Sequence, residues 1–292
     1  MLQGSLIMWY SIVIGFLIVY LVISMAVYFF QDFIFFRPEK LPKDFAFNYD
    51  NLTFDEYILD LKEDVTMSGL HFKVDKPKGV VFYLKGNSKS IKGWGKFAVD
   101  FNRNGYDVLM VDYRGFGKST GKRTHTALKE DLQLIYNMIK SKVPEKFIVL
   151  YGRSLGSGFA TKLASANNPG LLILDAPYYS LSHVAKRYLP FMPIAWAIRF
   201  PIPTFKWLKY VKCPIHIIHG TEDTLIPFKS SIKLGNVNSD RVRLHPIIGG
   251  GHNNLHNFPM YHQVLDEILQ KEYHTSFDIE KSSLNFKRKA RK

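Results

Sequence analysis

Residues 6–30 form a run of 25 positions without a charged side chain. As a helix this run is about 37 Å long, enough to cross a bilayer core of about 30 Å with some tilt. The pattern then changes. Residues 38–50 carry turn chemistry, and beyond them short apolar runs alternate with longer stretches of helical spacing. Strands are predicted at 52–59, 67–74, 80–84, 106–111, 147–151, 171–174, 214–218 and 242–247. Helices are predicted from about 90 to 104, over 126–141, from 157, over 230–234, and in a closing segment to about 271. In 126–141 the apolar positions Leu128, Leu132, Ile135, Met138 and Ile139 share one face. Strands alternating with helices predict an α/β fold, a mostly parallel sheet covered on both faces. The alternation fails at about 177–210, where Pro190, Pro193, Pro201 and Pro203 stand among many aromatics. That stretch reads as an inserted cap of short helices. The expected organisation is an N-terminal transmembrane anchor at 1–31, a linker at 32–50, one domain at 51–272 that includes the cap, and a basic tail at 273–292.

Composition adjusts this picture in a few places. With 47% hydrophobic and 22% charged residues the chain is neither disordered nor wholly membrane-embedded. A cleaved signal peptide would want a basic start and a small-residue cleavage site. Here the first five residues carry no side-chain charge and the apolar run ends in Tyr28-Phe29-Phe30, which favours an uncleaved anchor. Arg37, Lys40 and Lys43 follow the run and nothing basic precedes it, so the positive-inside bias places the domain on the cytoplasmic side of a single-pass protein. The net charge of +14 permits contact with an anionic surface. The tail from Lys287 to Lys292 is a second candidate membrane contact, through anionic lipid. No nucleic-acid recognition motif accompanies the charge, so nucleic acid is not an expected partner. The lone Cys213 excludes an intramolecular disulfide.

Candidate chemistry centres on Gly152-Arg153-Ser154-Leu155-Gly156, between a buried strand and a helix of small residues. Glycines two residues either side of a serine allow a sharp strand-to-helix turn that presents the hydroxyl outward, a nucleophile elbow. A serine hydroxyl needs a base, and the base needs a third group to hold it. Asp223 and His252 follow the ends of two later strands, in the order Ser, Asp, His. Competitors for the acid are Glu222 beside it and Asp175 at the end of the strand after the elbow. His219 reads as a residue that stabilises its own loop, and Asp112 and Arg114 as braces of the glycine-rich loop at 112–121. That loop lacks the lysine placement of a phosphate-binding P-loop. No Cys/His/carboxylate cluster has ligand spacing, so neither a metal nor another cofactor is expected.

Together Gly152–Gly156, Asp112-Tyr113-Arg114-Gly115-Phe116-Gly117, His219-Gly220-Thr221-Glu222-Asp223 and Gly251-His252-Asn253 resemble the α/β-hydrolases. The similarity is nearest to the single-span, membrane-anchored serine hydrolases grouped with serine-aminopeptidase-like and lysophospholipase-like enzymes. The resemblance implies Ser154 as nucleophile, Asp223 as acid and His252 as general base, with backbone N–H groups of Leu155 and Asn87 as oxyanion donors. It departs at Lys85-Gly86-Asn87, where the family usually has His-Gly-Asn, leaving open whether the Lys85 ammonium reaches the site. The cap aromatics Tyr178, Tyr179, Phe191 and Trp196 are candidate substrate-binding residues, with the cap's own small core as the alternative role. The expected activity is hydrolysis of an acyl ester or thioester of a small-molecule or lipid-derived substrate. A peptidase of the same fold and a non-catalytic scaffold are the alternatives.

Overall fold

In the computed structural model, residues 2–62 and 64–271 are described; the basic tail lies outside them. Helix α1 (Leu2–Phe35) holds the apolar run. Its segment Ile7–Phe35, with a mean hydropathy of 2.7 over an 18-residue stretch, is long and apolar enough to cross a membrane.

The domain is built on eight strands: β1 (Thr53–Lys62), β2 (Val65–Lys73), β3 (Gly79–Leu84), β4 (Tyr106–Val111), β5 (Ile148–Arg153), β6 (Leu171–Asp175), β7 (Ile215–Gly220) and β8 (Val242–Ile247). They form one sheet in the order β1-β2-β4-β3-β5-β6-β7-β8. The β1/β2 and β2/β4 pairs are antiparallel and all later pairs parallel. Strands β3 to β7 are buried throughout, which is why they read as continuous apolar runs rather than alternating ones. Short helices α2 (Ile91–Trp94) and α3 (Val99–Asn102) precede β4. Helix α4 (His125–Lys140), whose N-terminus is capped by the Thr124 hydroxyl accepting from the Ala127 N–H at 3.0 Å, precedes β5. Helix α5 (Leu155–Ala166) follows the elbow. The cap contains α6 (Leu181–Tyr188), α7 (Ile194–Ala197) and α8 (Thr204–Leu208). Helices α9 (Lys229–Gly235) and α10 (Pro259–Lys271) are the last of the described helices. Two apolar layers cover the sheet: α4, α5 and the cap residues Phe200 and Leu208 on one face, and α3 and α10 on the other.

Two expectations change in detail. The helix predicted over 90–104 is broken into α2, a 3-10 turn and α3. At Gly95 the space a side chain would need is filled by the ring of Tyr49, whose hydroxyl donates to the Ile91 carbonyl at 2.9 Å. The stretch read as a linker is also strapped to the domain. Phe36 is fully buried, 4.9 Å from Phe200 between ring centres. The Arg37 N–H donates to the Asn87 carbonyl at 2.8 Å, and the Gly117 N–H to the Glu39 carbonyl at 2.7 Å.

Candidate active site

Loops at the carboxyl ends of β5, β7 and β8 converge on one rim of the sheet, where parallel sheets of this kind hold their ligands. Ser154 sits between β5 and α5 at φ 50°, ψ −116°. A non-glycine residue there is strained, and the surroundings enforce it. A side chain on Gly156 would run into the Leu84 carbonyl and one on Gly152 into the Gly156 carbonyl, so α5 can start this tightly only with glycine at both positions. The Ser154 N–H is held by the Asp175 carbonyl at 2.9 Å.

His252 Nε2 lies 3.0 Å from Ser154 Oγ, and His252 Nδ1 lies 2.7 Å from Asp223 Oδ2. Asp223 is tied down on both oxygens. Oδ1 accepts the N–H groups of Leu225 at 2.9 Å and Ile226 at 2.7 Å, and Oδ2 also meets His219 Nε2 at 3.0 Å. His219 is anchored in turn by Ser231 Oγ, 2.6 Å from its Nδ1. Burial alone would raise the Asp223 pKa, but hydrogen bonds from His219, His252 and the Ile226 N–H hold it well below the usual carboxylate range. Neither competing acid is bonded to His252. Glu222 is exposed, and Asp175 Oδ2 accepts from the Tyr151 and Tyr261 hydroxyls. His219 therefore does more than brace a loop, since it shares the carboxylate oxygen that faces His252.

Leu155 is the first residue of α5, so its N–H has no intrahelical acceptor. The Asn87 side-chain amide donates to the Phe35 carbonyl at 3.1 Å and its carbonyl accepts from Arg37, while its N–H has no acceptor among the described residues. Both residues line a cavity of about 450 Å³ over Ser154 and His252. Lys85 is absent from its lining. The ammonium is fully buried beneath it, 3.0 Å from the Lys89 carbonyl, 3.7 Å from Asp112 Oδ1 and 3.7 Å from the centre of the Phe116 ring.

The cap aromatics separate. Tyr178 lines the cavity and donates to the Leu155 carbonyl at 3.1 Å. Tyr179 does not, because its ring is stacked on Phe205 at 4.4 Å in the cap's own core. Phe191 is 88% exposed and stands outside the cavity, its carbonyl turned to α1. The Trp196 side chain lies outside the described residues. Sequence reasoning missed a different wall: Val27, Gln31, Ile34 and Phe35 of α1, with Arg37 just beyond it. The one signal was Gln31, an amide directly after an uncharged run. Trp94 and Arg153 also face the cavity. Burial alone would lower the Arg153 pKa, but the Asp175 carboxylate 3.7 Å away raises it, so Arg153 stays charged.

A family model described as serine aminopeptidase, S33, matches residues 75–210. Lysophosphatidylserine lipase ABHD12 of Danio rerio is 26% identical over 226 residues, 65% of this chain and 58% of that protein. The alpha/beta hydrolase domain-containing protein aho-3 of Caenorhabditis elegans is 31% identical over 168 residues, 57% of this chain and 49% of its own. The chain thus spans about half the length of the curated relatives it matches. A solved esterase structure from Pyrococcus furiosus superposes with a TM-score of 0.65 at 21% identity, covering 82% of this chain and 98% of the esterase. Sheet order, elbow and these similarities together give the chain the α/β-hydrolase fold and liken it to the serine hydrolases of that superfamily.

Proposed function

We propose that this protein is a membrane-anchored serine hydrolase that cleaves an acyl ester or thioester of a lipid-derived substrate through an acyl-enzyme. The observation that carries this reading is the chain Ser154–His252–Asp223 at 3.0 and 2.7 Å beneath a largely apolar cavity. In the proposed cycle Ser154 Oγ attacks the acyl carbonyl while His252 Nε2 takes its proton. Asp223 holds the proton on Nδ1 and stabilises the imidazolium. The N–H groups of Leu155 and Asn87 receive the oxyanion. His252 then protonates the leaving group and activates the water that releases the acid. The ABHD12 relatives, named as lysophosphatidylserine lipases, support a single-chain lipid ester with an anionic headgroup. The charged groups lining this cavity, Arg37 and Arg153, are cationic and suit such a headgroup.

The serine-aminopeptidase family match keeps a peptidase reading in view. A free substrate amine calls for a carboxylate to hold it, and no Asp or Glu lines the cavity among the described residues. Fluorophosphonate labelling of wild type and Ser154→Ala tests the nucleophile: label on the wild type alone is expected, and label persisting on the variant overturns the assignment. p-Nitrophenyl esters of rising chain length, run beside aminoacyl anilides, decide the substrate class. Ester turnover is expected, and anilide turnover without it would favour the peptidase. We place the domain on the cytoplasmic side of a single span from the basic residues that follow α1, and a C-terminal reporter fusion checks that placement.

A further inference from the structure

Helix α1 does not stand clear of the domain. The side chain of Gln31, 2% exposed, donates to the Ala197 carbonyl at 3.0 Å and accepts from the Arg199 N–H at 2.6 Å. Farther up the helix the Tyr20 hydroxyl donates to the Phe191 carbonyl at 2.9 Å, and the Ser24 hydroxyl meets the Met192 sulfur at 3.4 Å. Tyr20 and Gln31 are eleven residues apart (31 − 20), so the cap climbs about 16 Å along α1 between these contacts.

The climbing segment, residues 189–198, has no charged side chain, and Lys186, Arg187 and Arg199 bracket it. A helix whose apolar stretch begins at Ile7 needs about 20 residues to cross the hydrocarbon core. Tyr20 then lies well inside, with Asp32 and Arg37 at the rim, and a cap loop bonded to Tyr20 stands at the same depth. Backbone polar groups there need protein partners, because lipid offers none. α1 supplies them to the carbonyls of Phe191 and Ala197 and to the N–H of Arg199. The exposed Phe191 ring at the tip matches a lipid environment, and the bracketing cations match headgroups. The cavity over Ser154 shares these two walls: Val27, Gln31 and Ile34 from α1, and Leu189, Ile194 and Ile198 from the cap.

We propose that the cap tip, residues 189–198, is embedded in the same leaflet as the Gln31 end of α1, and that the substrate's acyl chain enters the cavity from the bilayer through the seam between them. This builds on reading α1 as a membrane span and the site as an acyl hydrolase. The N-terminal helix is then part of the substrate route rather than a tether alone.

The test uses the full chain in lipid nanodiscs. An environment-sensitive fluorophore on Phe191→Cys, with the buried Cys213 of the wild type as labelling background, is expected to emit blue-shifted light and to be quenched by lipids brominated on their acyl chains. Water-like emission without quenching overturns the embedding. In the same nanodiscs Phe191→Asp is expected to lower turnover of a long-chain membrane-resident ester about tenfold relative to a short water-soluble ester. An unchanged ratio overturns entry through the seam. If wild type takes no fluorophosphonate label and cleaves neither ester, the hydrolase reading fails and acyl entry with it. The fluorescence measurement still decides the embedding on its own.

Discussion

Both carboxylate oxygens of Asp223 are committed, one to the backbone of its own loop and one to two imidazoles. Asp223→Asn keeps the shape and removes the charge, so His252 loses both its fixed tautomer and its counter-ion. Ester turnover is expected to fall by about 10³–10⁴-fold, and the melting temperature at neutral pH falls too, because the variant lacks the stabilisation that the ionised carboxylate supplies there. The lowered pKa also has a stability consequence. A carboxylate whose folded pKa lies below its unfolded value near ~3.9 stabilises the native state above that value, and the contribution disappears as pH falls through the folded pKa. Melting curves between pH 5 and 2 are therefore expected to fall more steeply for wild type than for Asp223→Asn. Lys85 and Asp112 have the opposite character. Burial pushes Lys85 down to about 8 and, against the attraction of Lys85, pushes Asp112 up to about 7. A carboxyl with a raised folded pKa takes up a proton on folding, so stability falls as pH rises from about 4 to about 7. Lys85→Met leaves Asp112 without its cation. The variant is expected to be about 3 kcal/mol less stable at pH 8 and much closer to wild type at pH 5, as read by thermal melting in detergent. Turnover per folded molecule should stay within about twofold, because Lys85 is no part of the cavity lining.

The cap and α1 behave as one element through Gln31. Gln31→Leu strands the half-buried Ala197 carbonyl and Arg199 N–H, at up to about 1–3 kcal/mol for each group left unsatisfied. This cost falls on the cap more than on the sheet, so local opening should outrun global unfolding. Trypsin cleavage after Arg187 and Arg199 is expected to speed up about tenfold while the melting temperature of the domain moves little. Equal cleavage rates would show that the latch holds nothing. This contact also marks how far the sequence could be read. Strands β3 to β7 and the elbow were legible because buried parallel strands and a glycine-flanked turn leave local signatures at Phe82, Leu150, Gly152 and Gly156. The convergence of Asp223 and His252 followed from each standing just past a strand end. Which surface a residue is buried against leaves no such trace. Phe36 read as linker and Phe191 as cavity wall, yet the first is core and the second lies outside the cavity. Nothing in the apolar pattern of α1 distinguished the side that faces the cap from the side that faces away.

On the scale of the whole molecule, a cavity walled partly by the apolar helix α1 ties substrate choice to residues far from the serine in sequence. Val27 precedes Ser154 by 127 positions (154 − 27), yet both border the same space. A bulky side chain at Val27 would take up volume at the α1 wall and leave Ser154, His252 and the N–H groups of Leu155 and Asn87 where they are. Extra atoms in an apolar pocket typically shift discrimination by about 1–3 kcal/mol, or about 10–200-fold in kcat/KM ratio. Val27→Trp in the full chain is therefore expected to move the preferred p-nitrophenyl ester to a shorter acyl chain, with the long-to-short kcat/KM ratio falling by about tenfold or more. Fluorophosphonate labelling reports whether Ser154 stays reactive in the variant, which separates lost acyl space from lost chemistry. An unchanged chain-length profile on a labelled variant would mean that acyl chains do not lie against α1, and that the wall this helix builds serves the fold alone.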